Sequence, residues 1–149
     1  MQSPSLSTLA ALVLTAALLP SAGAATIEVK MLNRGPHAAM AYEPEFVRVA
    51  PGDTVKFLAT SSGHNAATIT GMTPTNAQPF KGKINEEIAV TLTEAGLYGI
   101  ECLPHYAMGM VMLIQVGEVP LSNLHIPADV PEAAKQRFQA IVDRALNAQ

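Results

Sequence analysis

The stretch Cys102–Met110, with the sequence CLPHYAMGM, contains the single cysteine of this 149-residue chain. A thiol and an imidazole three residues apart can reach one ion from a tight loop, and Met108 or Met110 can add a thioether. His64, in the sequence SGHN, offers a second imidazole from a distant part of the chain. Soft sulfur and two imidazoles form the ligand set of a mononuclear electron-transfer copper centre, because they hold copper between the geometries that its two oxidation states prefer. The signal lies in the combination, since each residue alone is common.

The first 24 residues have the pattern of a secretory signal peptide. An apolar run over residues 9–19 is followed by Pro20 and by the small residues Ala22, Gly23 and Ala24, which form a cleavage site. A membrane anchor fits less well, because the run is shorter than the roughly 20 residues that span a bilayer. The sequence therefore predicts a mature domain over residues 25–149, located in the periplasm and not inserted in the membrane.

An unpaired cysteine is unusual in an exported protein, because the oxidising compartment favours disulfides. The nearby His105 favours a metal ligand over the alternative, a buried cysteine that acts as a small hydrophobic side chain. A structural zinc site is a further alternative, although such sites rarely use a methionine. We therefore expect one copper ion that cycles between Cu(I) and Cu(II).

Composition limits the kinds of partner. The chain has 9 Lys and Arg against 12 Asp and Glu, a net charge of −3, which argues against nucleic acid. Only 14% of its residues are charged, while 49% are hydrophobic, so part of its surface must be apolar. Its length suits one domain with a sizeable core. The composition is thus consistent with a small monomer that docks through an apolar face.

Short alternating runs separated by turn residues predict an antiparallel β-sandwich. The segment 94–96 is expected to form a hairpin-like connection, and the apolar run 111–116 a strand buried in the core. Residues 120–131 are rich in proline and fit only a short helical turn. An amphipathic helix is predicted from Pro131, at the first helical position. The predicted strands cover residues 26–32, 46–49, 54–59, 88–93, 97–101 and 111–116.

Several segments resemble the pseudoazurins, a family of cupredoxins. The resemblance implies a Greek-key β-sandwich of about eight strands with a C-terminal helical extension. Members of the family carry two C-terminal helices, whereas here only the second, from about residue 131, is indicated. The segments are Met31-Leu32-Asn33, Tyr42-Glu43-Pro44, residues 49–55, Gly63-His64-Asn65 and residues 104–110.

The same resemblance assigns the ligands. It makes His64, Cys102 and His105 the equatorial ligands and Met110 the axial one. Met108 is then expected to be a packing or surface residue. Asn65 follows a ligand and is placed to donate its backbone N–H to the cysteine sulfur.

Pro104 has no N–H to offer the sulfur. An absent donor leaves the thiolate richer in electrons, which stabilises Cu(II) and lowers the reduction potential.

Function follows from this site and from the resemblance. Four protein ligands leave no open position for a substrate, so the chain is not expected to be an enzyme. The resemblance implies a periplasmic carrier that takes single electrons from a donor such as a cytochrome to a reductase such as copper-containing nitrite reductase. The alternative is a periplasmic protein that buffers or delivers copper.

Electrons are expected to leave through the imidazole of His105, which in cupredoxins lies within an apolar patch. Pseudoazurins surround this patch with lysines, one of them directly before the copper cysteine, yet Glu101 stands there in this chain. We assign no chemistry to His37 and His125. The predicted docking residues are Pro36, Met40, Pro104 and Met108, with Arg34, Lys81 and Lys83 as a partial basic rim.

Overall fold

Two four-stranded sheets pack face to face in the computed structural model, which describes residues 23–148. The predicted signal peptide therefore lies almost wholly outside the described residues. One sheet has the order β2-β1-β4-β6 and the other β3-β8-β7-β5. The strands are β1 Thr26–Arg34, β2 Ala39–Glu43, β3 Phe46–Val49, β4 Thr54–Leu58, β5 Ala67–Thr68, β6 Ile88–Thr91, β7 Gly96–Glu101 and β8 Val111–Val116.

The predicted eight-stranded sandwich is confirmed, but the expectation of purely antiparallel pairing is wrong for two pairs. β1 runs parallel to β4, with Thr26 opposite Thr54, and β3 runs parallel to β8, with Phe46 opposite Leu113. Parallel neighbours need a long crossover. The chain supplies one by leaving the first sheet after β2, forming β3 in the second sheet, and returning for β4.

The predicted hairpin at residues 94–96 is also wrong, because β6 and β7 belong to different sheets. β6 pairs with β4, whereas β7 pairs with β5 and β8. Gly96 has a positive φ of 151°, and a Cβ at this position would collide with the ring of Pro74. A short connection that contains glycine can join two strands of one sheet or two strands of different sheets. The local sequence therefore does not distinguish these two cases.

The predicted buried strand is confirmed as β8, in which all six residues are buried. Its side chains alternate between two cores. Met112, Ile114 and Val116 lie in the core between the sheets. Val111 and Leu113 lie in a second core under the C-terminal helix. The near-continuous apolar sequence is therefore the consequence of packing on both faces.

The C-terminal helix α1 spans Glu132–Asn147 and confirms the predicted amphipathic helix. It begins one residue later than expected, since Pro131 has an extended ψ of 144° and precedes the first helical residue. The proline-rich segment before it forms the 3₁₀ turn Leu121–Asn123, as the prediction of only a short helical turn required. Between residues 23 and 148 no helix is both long and apolar enough to cross a membrane.

Helix α1 is anchored to the sandwich by its apolar face. Arg144 adds an ion pair of 2.6 Å with Glu45, in the connection between β2 and β3. The helix thus covers the outer face of the sheet that contains β8. Its buried residues are Ala134, Phe138, Ile141 and Ala145.

The substitution Phe138→Ala should destabilise the protein, because the ring is completely buried between α1 and the sheet. We expect a loss of roughly 3–5 kcal/mol in the free energy of unfolding, as for other buried phenylalanines. The measurement is urea denaturation followed by circular dichroism. Gln139→Ala, on the exposed face, should change that free energy by less than about 0.5 kcal/mol. Equal losses in the two variants would contradict this packing of the helix.

Candidate metal centre

Residues remote in the sequence meet at one end of the sandwich. His64 lies in the loop between β4 and β5, and Cys102 follows the last residue of β7. His105 lies in the 3₁₀ turn Leu103–Met108, and Met110 directly precedes β8. We call residues 102–110 the ligand loop.

Backbone hydrogen bonds close the ligand loop on itself. The Cys102 amide donates to the Met110 carbonyl at 3.0 Å, and the Met110 amide donates to the His105 carbonyl at 3.1 Å. Gly109 makes the required left-handed turn, with φ 87°, and packs against helix α1. A Cβ on Gly109 would lie 2.8 Å from the carbonyl oxygen of Ala133. Only glycine therefore lets the loop pass so close to the helix.

The side chains of His64, Cys102 and His105 converge on one point. The two Nδ1 atoms lie 3.1 Å apart, and each lies 3.6 Å from the cysteine Sγ. The centre of such a triangle is about 2 Å from each corner, close to the lengths of metal–nitrogen and metal–thiolate bonds. Among the residues that the structure describes, this is the group of His, Cys, Asp and Glu that could hold a metal ion.

A hydrogen bond fixes the protonation of His64. Its Nε2 lies 2.8 Å from Oδ1 of Asn33, which can only accept. Nε2 therefore carries the proton, and the lone pair of Nδ1 faces the cysteine. Such a partner on the second ring nitrogen is typical of metal-binding histidines. The role of Asn33 was missed by the sequence analysis, in which it is only part of a family-like segment.

Burial shifts the pKa of two of these groups. It lowers the pKa of His64, and the neighbouring His105 lowers it further, which favours the neutral imidazole. Burial raises the pKa of the Cys102 thiol, while the backbone amides of Asn65 and His105 act in the opposite direction. A neutral imidazole is ready to bind a metal, whereas the thiol must lose its proton on binding.

Asn65 connects the His64 loop to its surroundings. Its side-chain Oδ1 accepts from the Leu103 amide at 2.8 Å, and its Nδ2 donates to the Gly82 carbonyl at 2.9 Å. Its own carbonyl accepts from the Tyr42 hydroxyl at 2.7 Å. The residue is 1% exposed, so these bonds are shielded from water.

Asn85 holds the same loop from the other side. Its backbone N–H donates to the His64 carbonyl at 2.8 Å, and its side-chain oxygen accepts from the Gly63 amide at 2.6 Å. Asn85 has a left-handed backbone with φ 65°. Asparagine adopts this conformation more readily than most residues. The residue type at position 85 therefore indicated a tight turn, which the sequence analysis did not use.

The two methionines of the ligand loop differ in burial. Met110 is completely buried and belongs to the core cluster that contains Cys102. Met108 is 55% exposed on the surface of the loop. The Gly109 turn between them separates the inward from the outward position.

The surface around the ligand loop is largely apolar. Pro36, Pro104 and Met108 are exposed, while Met40 is partly buried against the inner core. Leu103, directly after the cysteine, is 41% exposed and was missed by the sequence analysis. Its exposure follows from its place at the start of an exposed turn.

The charged residues near this end do not form a ring of one sign. Glu101 lies opposite Ala67 in the sheet, and Ala67 is bridged to Lys81. Burial raises the pKa of Glu101, and the nearby Lys81 partly offsets this effect. The predicted rim residues Arg34, Lys81 and Lys83 are all exposed. The negative charge of Glu101 therefore offsets part of the basic rim.

Comparisons with known proteins identify a copper-binding family. The model of the family "Copper binding proteins, plastocyanin/azurin family" matches residues 29–117. The chain is 48% identical to pseudoazurin of Paracoccus pantotrophus over 78% of this chain and 81% of that protein. It is 44% identical to a putative pseudoazurin of Rhizobium leguminosarum bv. viciae over 87% of this chain and 88% of the other.

A solved structure is similar as well. The pseudoazurin from Sinorhizobium meliloti superposes with a TM-score of 0.76 at 40% identity, covering 81% of this chain and 96% of that one. The resemblance described from the sequence is thus confirmed. A copper-binding family model, close pseudoazurin relatives and a matching fold lead to one conclusion: the chain belongs to the pseudoazurins, cupredoxins that bind copper and carry electrons.

Proposed function

We propose that this chain is a monomeric periplasmic carrier that passes single electrons to a reductase such as copper-containing nitrite reductase. A periplasmic cytochrome would be its electron donor. The observation that carries the proposal is the triangle of one sulfur and two nitrogen atoms. Its dimensions fit three ligand atoms around a single metal ion. The predicted signal peptide supports export to the periplasm.

His64, Cys102, His105 and Met110 would hold the metal through two imidazole nitrogens, a thiolate and a thioether. Copper in such a site supplies a store for one electron, because it changes between Cu(II) and Cu(I) with little rearrangement. The preformed triangle supports this role, since the protein positions the ligands through its own hydrogen bonds. Four protein ligands also leave no position for a substrate, which supports a carrier rather than an enzyme.

The burial of the ligands favours a carrier over a protein that delivers copper. The side chains of His64, Cys102 and Met110 have no exposed surface. A delivery site must present its ligands to the receiving protein, whereas here only His105 is partly exposed. The arrangement is suited to keep the metal and to let an electron pass through the His105 ring.

The docking face comprises Pro36, Met40, Leu103, Pro104 and Met108, around the exposed edge of His105. An apolar face allows close approach without desolvating charges, and a small interface releases its partner quickly. Charges at its rim mainly set the rate of encounter. Arg34, Lys81 and Lys83 would supply that rim, with Glu101 reducing its positive charge.

Spectroscopy with Cu(II) tests the proposed function directly. Adding Cu(II) to the purified protein should give an intense thiolate-to-copper absorption band and a narrow copper hyperfine splitting in EPR. Cys102→Ser should lose both, because it removes the thiolate. His125→Gln, which alters an exposed histidine outside the triangle, should retain both. Weak absorption with a wide splitting in the unaltered protein would instead favour copper storage or a zinc site.

The substitution Pro104→Ala should raise the reduction potential. It introduces a backbone N–H near the Cys102 sulfur, and an added hydrogen bond draws electron density from the thiolate and stabilises Cu(I). The measurement is protein-film or solution voltammetry at constant pH. The exposed Ala107, in the same 3₁₀ turn, offers a control as Ala107→Ser. An unchanged or lower potential in Pro104→Ala would refute this role of the proline.

Electron transfer to an acidic reductase should depend only weakly on salt, because Glu101 offsets Lys81. In Glu101→Lys the rate should be higher at low ionic strength and should fall more steeply as salt is added. Glu118→Lys makes the same change in net charge on an exposed residue beyond the other end of β8. The measurement is the second-order rate constant against ionic strength. A steep fall in the unaltered protein would contradict the offset.

A further inference from the structure

A cleft of about 310 Å³ lies beside the ligand loop, between helix α1 and the connection from β1 to β2. Met108 forms its rim next to the docking face, while helix α1 supplies most of its wall. We call it the arginine cleft. Its lining residues are His37, Met108, Ala133, Gln136, Arg137, Ala140 and Arg144.

Positive charge is concentrated around this cleft. Arg137 donates from Nη2 to the carbonyl of Ala39 at 3.4 Å, and Arg34 lies opposite Ala39 in the pairing of β1 with β2. Together with Arg144, these are three of the four arginines of the chain. The arginine cleft is therefore the most cationic feature beside the ligand loop.

Two carboxylates lie near these arginines and offset part of their charge. Glu45 pairs with Arg144 through both Nε and Nη2 and also lies near Arg137, and its side chain is only 12% exposed. Glu132 accepts a hydrogen bond from Gln136 at 3.4 Å but does not line the cleft. Three guanidinium groups against Glu45 thus leave a net positive charge for an incoming anion.

The segment of Lys81 and Lys83 has a different charge balance. There Lys81 lies near Glu101, and the Lys83 backbone N–H bonds to the carboxylate of Glu86 at 2.6 Å. Each of these two lysines thus has a carboxylate nearby. The arginine cleft therefore has more net positive charge than this segment.

We propose that the arginine cleft binds an acidic side chain of the redox-partner protein and so fixes the orientation of that partner over His105. This inference rests on the proposed function as an electron carrier. Guanidinium groups suit the task, because they bind a carboxylate through two parallel hydrogen bonds where an ammonium group makes a point contact. The arginines line a concave surface rather than a single point, so the contact restricts rotation as well as approach.

An NMR titration with an acidic peptide tests the inference. The probe is a peptide with four consecutive glutamates, added to the copper-loaded and reduced protein labelled with ¹⁵N at low ionic strength. We expect the largest shifts at the amides of His37, Gln136 and Arg137. A peptide with glutamines in place of the glutamates should produce none of them. The largest shifts around Lys81 and Lys83 would overturn the proposal.

Two variants on the same helix provide a matched comparison. Gln136→Glu puts a negative charge at the cleft, whereas Gln139→Glu puts it on the exposed face outside the cleft. Each glutamine donates to a carboxylate four residues away, Glu132 or Asp143, so each variant loses the same kind of bond. Gln136→Glu should weaken peptide binding roughly fivefold, the effect of a like charge about 4 Å away in water. Gln139→Glu should leave the affinity unchanged.

The outcomes separate this inference from the proposed function. Equal affinities in the two variants would overturn it, as would displacement of the peptide by an equal concentration of inorganic phosphate, which would indicate a site for small anions. The absorption band of the oxidised sample reports the copper site independently. If the band is present and the peptide shifts are absent, only the cleft inference fails, whereas a missing band refutes the electron carrier itself.

Discussion

The hydrogen bonds of Asn65 are the constraint on which the metal centre depends. One buried amide joins the loop of His64 to the ligand loop through Leu103, and to the segment of Gly82 on its other side. The ligands come from parts of the chain almost 40 residues apart, so no local structure can set their spacing. The fixed geometry follows from a satisfied buried network, which tolerates little displacement because each unmade bond would leave a polar group without water.

The convergence of His64, Cys102 and His105 could be predicted from the sequence because their chemistry is rare in combination. A lone cysteine with a histidine three residues later is enough to predict a metal site. The family resemblance chose between Met108 and Met110. The groups that orient the ligands were harder to find. Asn33 and Asn85 act through contacts made only after folding, and surface asparagines are too common in turns for their type alone to identify them.

The same limit applies to the fold. The apolar run of β8 and the periodicity of α1 are local patterns, and both predicted their elements correctly. The direction of β4 relative to β1, and the sheet to which β7 belongs, depend on which sheet the chain enters after each turn. β5 has only two residues, too few for any alternation to show. Strand order therefore depends on the whole chain and cannot be predicted from short local patterns.

The position of β8 has a consequence for how the protein comes apart. This strand contributes side chains to both cores and pairs with β3 on one edge and β7 on the other. Separation of the two sheets, or of α1 from the sandwich, would expose it. Its amide protons should exchange with solvent only through global opening, at the free energy of complete unfolding. Because Cys102 and Met110 lie at the two ends of the turn that joins β7 to β8, the positions of both sulfur-bearing residues are set by the pairing of these two strands.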